Sequence, residues 1–448
     1  MKLILHPDAV KNFNDKVESL KLELSLIPDD HLASKDTFKP DRPISAVIAE
    51  EDAFKNARYS LVDGIGVETA KYFPIEGKCI GLQGDSLKKL VKIAQEMQKI
   101  KELFARVSVD LLSDFIFDWI KDRYANTTNL SMVDYVLKKV EESIQEFEIW
   151  IPIAMLSIES EIQIGKVLLR PLNKEIFDKW RTKIENDPVD KEKNLILLEK
   201  ERKELQGFTV AIMKISAEPK RMAEIAFEEA EKSISLLRFF SPANLVPEIV
   251  SYCMVFGKGN VETTKYFLIQ EDMLVYTNQS SVKKALPFWV VNNADISKFK
   301  VGGLETLSKL LSEDNKTEFK GKLLDSLLWY SKSSLAKNMA DKLVYILVAL
   351  ESILLKNEDE SIQQNISERI AFFIGRNLNE RKSIIKNFKR IYSLRSSFLH
   401  HGREIEDLET LKEFMFNAWR FFDVLILNID RFDTKEQFLE KIEEIKLS

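Results

Sequence analysis

The chain has 448 residues, 45% hydrophobic and 31% charged, with 14 Gly, 12 Pro and a formal net charge of −5. This composition excludes a collagen-like, Pro/Gly-rich disordered or disulfide-stapled chain. The charge gives no global signal for nucleic acid or an acidic membrane surface, so a nucleic-acid site must be a local basic patch.

At about 150 residues per domain, two or three domains are expected. The first 60 residues are irregular, with Pro28, Pro40 and Pro43 in polar company, and strands there would be short. Helical spacing begins at Ser86–Ile100, where Leu87, Leu90, Val91, Ala94, Met97 and Ile100 share one face. It resumes around Phe104–Arg123 and Met132–Phe147, so residues 1–148 read as a largely helical region. Residues 149–172 then run or alternate apolar, rich in Ile and Val and punctuated by Pro and Gly, which predicts two or three strands. Asp187–Glu204 is charge-dense, an exposed helix or linker. Residues 208–215 alternate as a strand, Ala223–Phe240 is a strong helix stopped before Pro242, and Ser251–Phe256 and Tyr266–Ile269 read as strands. Residues 149–311 are thus an α+β region.

After Ser312 the pattern is helical throughout. Lys322–Tyr330, Met339–Leu355, Ile366–Ile374, Lys382–Leu399 and Leu408–Leu427 carry i, i+3, i+4 apolar spacing, and Lys435–Ile445 is a last short amphipathic piece. Short connections at Asn357–Ser361 and Gly375–Asn379 suit antiparallel helices. The fold class is therefore α+β multidomain and mostly helical, with an all-α bundle over 312–448.

The longest apolar run, Ile149–Ile158, falls far short of the roughly 20 residues that span a bilayer. The opening MKLILHPDAVKNF has no signal-peptide core, so a cytoplasmic location and no membrane partner are expected. Cys79 and Cys253 lie outside any CxxC pair, which argues against a disulfide framework or a cysteine zinc site. Walker-type phosphate loops, GxSxG elbows, HExxH and EF-hand loops are absent, and neither metal nor cofactor is expected. Asp63-Gly64-Ile65-Gly66 reads as a plain turn, Glu201-Arg202-Lys203 as a solvated helix face, and Glu159 and Glu161 as the wet side of a strand.

One segment concentrates chemistry: Lys389–Gly402, KRIYSLRSSFLHHG. The four histidines of the chain are His6, His31, His400 and His401, so half of them sit here. From Arg381 to Arg403, 23 residues hold seven cations and no Asp or Glu: Arg381, Lys382, Lys386, Lys389, Arg390, Arg395 and Arg403. Such a stripe suits a phosphate backbone. Arginine offers a permanently charged donor fork to phosphate oxygens, and histidine exchanges a proton near neutral pH. RNA carries its own nucleophile, the 2′-hydroxyl, so Arg395 and His400 against one phosphate could perform acid–base cleavage with no metal. On a helix, five steps set Arg395 and His400 roughly 140° apart. They would converge only at a helix end near Gly402 or across a two-fold axis. A structural role is open to the same residues: the histidines can cap a helix C-terminus, and Arg395 can pair with Glu351 or Glu409.

Three pieces in order resemble the HEPN superfamily, most closely the HEPN domains of ApeA-like anti-phage proteins. They are Leu347-Val-Ala-Leu-Glu351, Ser367-Glu-Arg369-Ile-Ala371, and Ile391-Tyr392-Ser-Leu-Arg395-Ser396-Ser-Phe-Leu-His400-His-Gly402. The resemblance covers Phe319 to Leu427. Looser likeness to segments that precede such domains lies in Trp150-Ile-Pro152-Ile and Ile164-Gly165-Lys-Val-Leu-Leu-Arg170-Pro171. The resemblance implies a four- or five-helix bundle that dimerises, with the R-x4–6-H motifs of two protomers meeting in one cleft that cuts RNA and leaves a 2′,3′-cyclic phosphate. Carried over, Arg395 stabilises phosphate charge and His400 is the acid or base. His401 also fits the spacing, and Tyr392 positions the motif or packs. Ser396 stands where many nuclease members carry Asn, Asp or His.

The expected function is a metal-independent endoribonuclease acting on RNA, with tRNA as one candidate, in anti-phage defence or growth arrest. Its partners are RNA and a second copy, and the N-terminal region senses an unidentified trigger. The alternative is a non-catalytic HEPN module that dimerises and binds nucleic acid or a protein.

Overall fold

A computed structural model describes residues 3–27, 58–63, 65–75, 78–187, 190–256, 263–270, 273–281, 288–357, 359–401 and 405–447. The chain forms two compact units, residues 1–147 with 214–225, and 148–213 with 226–448. Both mix helices with sheet, and helices predominate. No helix among the described residues is long and apolar enough to cross a membrane.

The first unit opens with helix α1 (Pro7–Lys21), where Pro7 at the helix start needs no N–H partner and His6 Nδ1 accepts from the Asp8 amide. Strands β1 (Ser25–Leu26), β2 (Tyr59–Val62), β3 (Glu68–Ile75) and β4 (Lys78–Gln83) form an antiparallel sheet in the order β1-β4-β3-β2. The sequence reading missed α1 and the β3–β4 pair. In β3 the run Ala70 to Phe73 is buried on both faces, so it shows no alternation. The Asp63 turn joins β2 to β3, its Oδ1 accepting from the Ile65 and Val67 amides. Helices α2 (Asp85–Gln98), α3 (Lys101–Phe104), α4 (Val109–Tyr124) and α5 (Met132–Ser143) follow. They bury Leu90, Ala94, Ile116, Phe117 and Val136 against Phe73 and Leu82 of the sheet. The helix expected from Phe104 breaks instead before Val109, where Ser108 caps α4. Every fourth residue of α4 is an aspartate, and each is partnered. Asp110 meets Lys220, Asp114 meets Arg58 and the buried Lys71, Asp118 meets Arg58, and Asp122 accepts from Tyr135. This acidic ridge is stitched structure.

The second unit begins with β5 (Gln145–Ala154), β6 (Leu156–Ile158), β7 (Ile162–Ile164) and β8 (Val167–Pro171), one strand more than the apolar texture implied. The β7–β8 hairpin turns at Gly165 with φ +60, where Leu311 packs so close that a Cβ would sit 2.8 Å from it. A helical hairpin, α6 (Lys174–Glu185) and α7 (Lys191–Leu205), covers β8 and Trp150; α6 was not foreseen. Strand β9 (Thr209–Ala217) and helix α8 (Pro219–Arg238) carry the chain into the first unit and back. With β10 (Met254–Val255) the sheet order is β10-β5-β9-β8-β7. Strands β11 (Thr263–Gln270) and β12 (Met273–Ser281) pair with each other, and β13 (Trp289–Val291) runs parallel to β6. Glu159 accepts from the Asn293 amide at the start of α9 (Asn293–Val301), and Glu161 pairs with Arg170, so both carboxylates are structural.

After α10 (Leu304–Ser312) come the six helices of the bundle: α11 (Glu318–Lys332), α12 (Met339–Leu354), α13 (Ile362–Ile374), α14 (Leu378–His401), α15 (Leu408–Leu427) and α16 (Lys435–Leu447). Their core is strongly aromatic. Phe388 meets Phe414 at 5.0 Å, Tyr330 meets Phe422 at 4.9 Å, and Phe319 meets Phe438 at 5.1 Å between ring centroids. Buried polar contacts pin the stretch after α8 to the bundle. The Lys342 ammonium donates to the Ala243 and Ile249 carbonyls, and burial pushes it down to about 8. Ser333 of the bundle donates to Asn244 at 3.2 Å, while Arg238 holds the stretch to the end of α8 by donating to the Cys253 carbonyl at 2.8 Å.

Candidate functional site

Helix α14 carries every described residue of the predicted site. Ile384, Phe388 and Ile391 are buried, and they anchor one side of the helix in the bundle. That anchoring fixes where the polar residues point.

Tyr392 and Arg395 turn inward toward α12. Both donate to one oxygen of Glu351, the tyrosine hydroxyl at 3.1 Å and Arg395 Nη1 at 3.1 Å. Of the two partners open to Arg395 from sequence, the fold supplies Glu351. The pair is not sealed: the side chains of Arg395 and Glu351 are 26% and 18% exposed. Arg395 Nε is buried and meets no acceptor among the described residues. Burial, and after it the Glu351 carboxylate, raises the Tyr392 hydroxyl well above the ordinary tyrosine range. It therefore stays a proton donor to Glu351.

His400 and His401 lie exposed in the last turn of α14, with ring centroids 6.4 Å apart. Five residues separate His400 from Arg395, which turns them about 140° apart around the axis. The fold thus brings Arg395 to Tyr392 and Glu351, and it leaves His400 on the opposite, outer side. Ser396 is exposed beside it.

The basic residues separate in the same way. Lys382, Lys386, Lys389 and Arg390 are exposed. Arg381 turns away: its Nε donates to the Gly375 carbonyl at 3.2 Å and its guanidinium stacks on Phe372 at 4.6 Å. Arg390 reaches Asp407 at 3.5 Å, a surface pair of little strength. Gly402 and Arg403 lie outside the described residues. The Asp407 carboxyl is held below its usual range first by the Thr410 hydroxyl it accepts from, then by the Thr410 amide and Arg390.

Among the described residues no group of three or more His, Cys, Asp or Glu could hold a metal ion. Two open cavities of the second unit, about 250 and 460 Å³, are lined around Glu305, Lys309 and Asp430 and around Gln163 and Ser308, and they reach neither Arg395 nor the histidines. Comparison with protein-family models, with curated proteins and with solved structures finds no match for this chain.

Proposed function

We propose that the bundle over residues 312–448 is a HEPN-type ribonuclease domain acting as a homodimer. The observation that carries this reading is the split on α14. A guanidinium oriented by Glu351 and Tyr392 lies on one side, and an exposed histidine in line with a lysine row lies on the other. On α14 of one chain the two groups point about 140° apart, whereas two copies across a two-fold axis can each supply one half. In the reaction the RNA 2′-oxygen attacks the adjacent phosphorus and yields its proton to a base. The 5′-oxygen leaves and takes a proton, giving a 2′,3′-cyclic phosphate and a 5′-hydroxyl. His400, with His401 as its neighbour, exchanges protons, and Arg395 stabilises the charge gathering on phosphorus. The 2′-hydroxyl supplies the nucleophile, so the step proceeds without a metal. Residues 1–311 serve as sensor or recruiting region, and the output is growth arrest or anti-phage defence in the cytoplasm.

The second reading, a non-catalytic dimerising module, draws support from the Arg395–Glu351 pair, which is what a purely structural arginine would make. Incubating total RNA and tRNA with the purified protein in EDTA separates the two. Wild type should give discrete cuts with cyclic-phosphate ends, and the Arg395→Ala/His400→Ala double variant should give none while remaining folded and dimeric. Intact RNA with both proteins would favour the module.

A further inference from the structure

The outer face of α14 is more ordered than a basic composition requires. Taking Lys382 as zero, the helical turn places Lys386, Lys389, Ser393, Ser396 and His400 within about 40° of one line. Four-residue steps along that line are about 6 Å, and the row from Lys382 to His400 is about 27 Å long. Lys382, Lys386 and Lys389 are exposed and make no ion pair within 4 Å among the described residues.

The α15 flank of the row is acidic on balance, and on the other flank the carboxylate is matched by a lysine. On the α15 side Glu413 accepts from Ser383 at 3.1 Å and Asn387 at 3.3 Å, and Asp407 accepts from Thr410. Glu406 and Glu409 add to that flank, whose cations are Lys412 and Arg390, the latter paired with Asp407 at 3.5 Å. On the other side Glu368 pairs with Lys446 at 3.0 Å and accepts from Gln364, and it is close enough to Lys389 to feel its charge. A narrow positive line with an acidic border along α15 and a charge-matched one along α13 has room for one phosphate backbone. A second strand on the α15 side would lay its phosphates on Glu406, Glu409 or Glu413.

We infer that this face is a track for single-stranded RNA, which holds the strand by its backbone and delivers a phosphate to His400. The inference rests on the ribonuclease reading for its chemistry. That chemistry points the same way, because in-line attack by the 2′-oxygen needs a backbone free to rotate, which A-form duplex restrains. The row's one ring is His400, so it holds no run of aromatics on which successive bases could stack. Recognition along it is therefore blind to sequence.

The test uses the full chain and a labelled single strand of 2′-O-methyl oligouridylate, about 12 nucleotides long, which binds but cannot be cut. Binding is followed by anisotropy across a salt series. Each phosphate neutralised on a single strand contributes about −0.7 to the slope of log K against log salt. The Lys382→Gln/Lys386→Gln/Lys389→Gln variant should therefore flatten the slope by about 2 and lose about a hundredfold in affinity at 0.1 M salt. The same oligomer paired with its complement should bind more weakly, although plain electrostatics favours the denser duplex charge. An unchanged slope in the variant overturns the track, and so does tighter binding of the duplex. Cleavage of unmodified RNA keeps the two readings apart. Lysine-dependent binding without any cutting by wild type leaves the track standing and removes the nuclease. Equal KM and kcat for wild type and the lysine variant leaves the nuclease standing and removes the track.

Discussion

The bundle contains two arginine–glutamate pairs of the same chemistry and opposite finish. Arg369 on α13 is 2% exposed and spends its whole guanidinium. It grips Glu360 with two parallel bonds of 2.7 and 2.8 Å, donates to the Leu354 carbonyl at 2.6 Å, and reaches Glu443 at 3.5 Å. Arg395 on α14 makes one bond, leaves Nε without an acceptor, and stays a quarter exposed. The first pair locks the α12–α13 connection and α16 into the bundle. The second is held from one side only, with donors left over. A fully satisfied buried charge belongs to the fold, whereas a partly satisfied one at the surface is free to meet an oxyanion.

The largest effect expected from this contrast is on stability. Arg369→Ala leaves the Glu360 carboxylate without its partner inside the bundle and should cost about 3–5 kcal/mol, the range for breaking a buried pair. Arg395→Ala should cost no more than about 1–2 kcal/mol, because Arg395 is itself a quarter exposed and makes one bond, and Tyr392 still donates to the Glu351 left behind. Denaturant melts of the two variants measure the difference, and equal losses would erase the distinction between the pairs.

Acid should attack the closed pair as well. Glu360 is held down to about 2, chiefly by the Arg369 bonds, against an ordinary value of 4.5. A lowered carboxyl contributes stability that is complete above about pH 4.5 and is lost as pH falls toward 2. The upper limit is about 3 kcal/mol, reduced by solvent at the rim of the pair. Glu360→Gln should flatten the acid limb of a pH–stability curve over that window.

Sequence showed the two regions unequally. Apolar spacing over 408–427 gave α15 to the residue, and 339–355 gave α12 to within one. Helices packed on one face write their period plainly. The first 84 residues did not, because β3 is buried on both faces and α1 spreads only Phe13, Val17 and Leu20 across a polar stretch. Within the site, Arg395, His400 and the lysine row were visible as charge without acid. Their division between two sides of α14 followed from the turn angle alone. Glu351 was one of two candidate partners, since choosing between it and Glu409 needs the packing of α12 against α14. Nothing in the apolar run around Lys342 marks its ammonium as buried, because a lysine on a helix reads as surface until its neighbours are known.

The smallest effect is the one that most sharpens the comparison. Glu351→Gln keeps the shape of the side chain, removes its charge, and still accepts from Tyr392 and Arg395. If Glu351 is a positioning residue for Arg395, stability should move by less than about 1 kcal/mol while kcat for RNA cleavage falls about tenfold, since the guanidinium loses the charge that aims it. KM should hold or fall, because a competing carboxylate is gone and phosphate has the guanidinium to itself. Tyr392→Phe should follow in the same direction with a smaller loss, as it removes one of two bonds to the same oxygen. A merely structural glutamate predicts the reverse, a shifted melting curve with kcat and KM unchanged for the folded fraction. The open pair is functional only if its charge is felt in turnover more than in unfolding, and that ratio is what the closed pair around Arg369 cannot show.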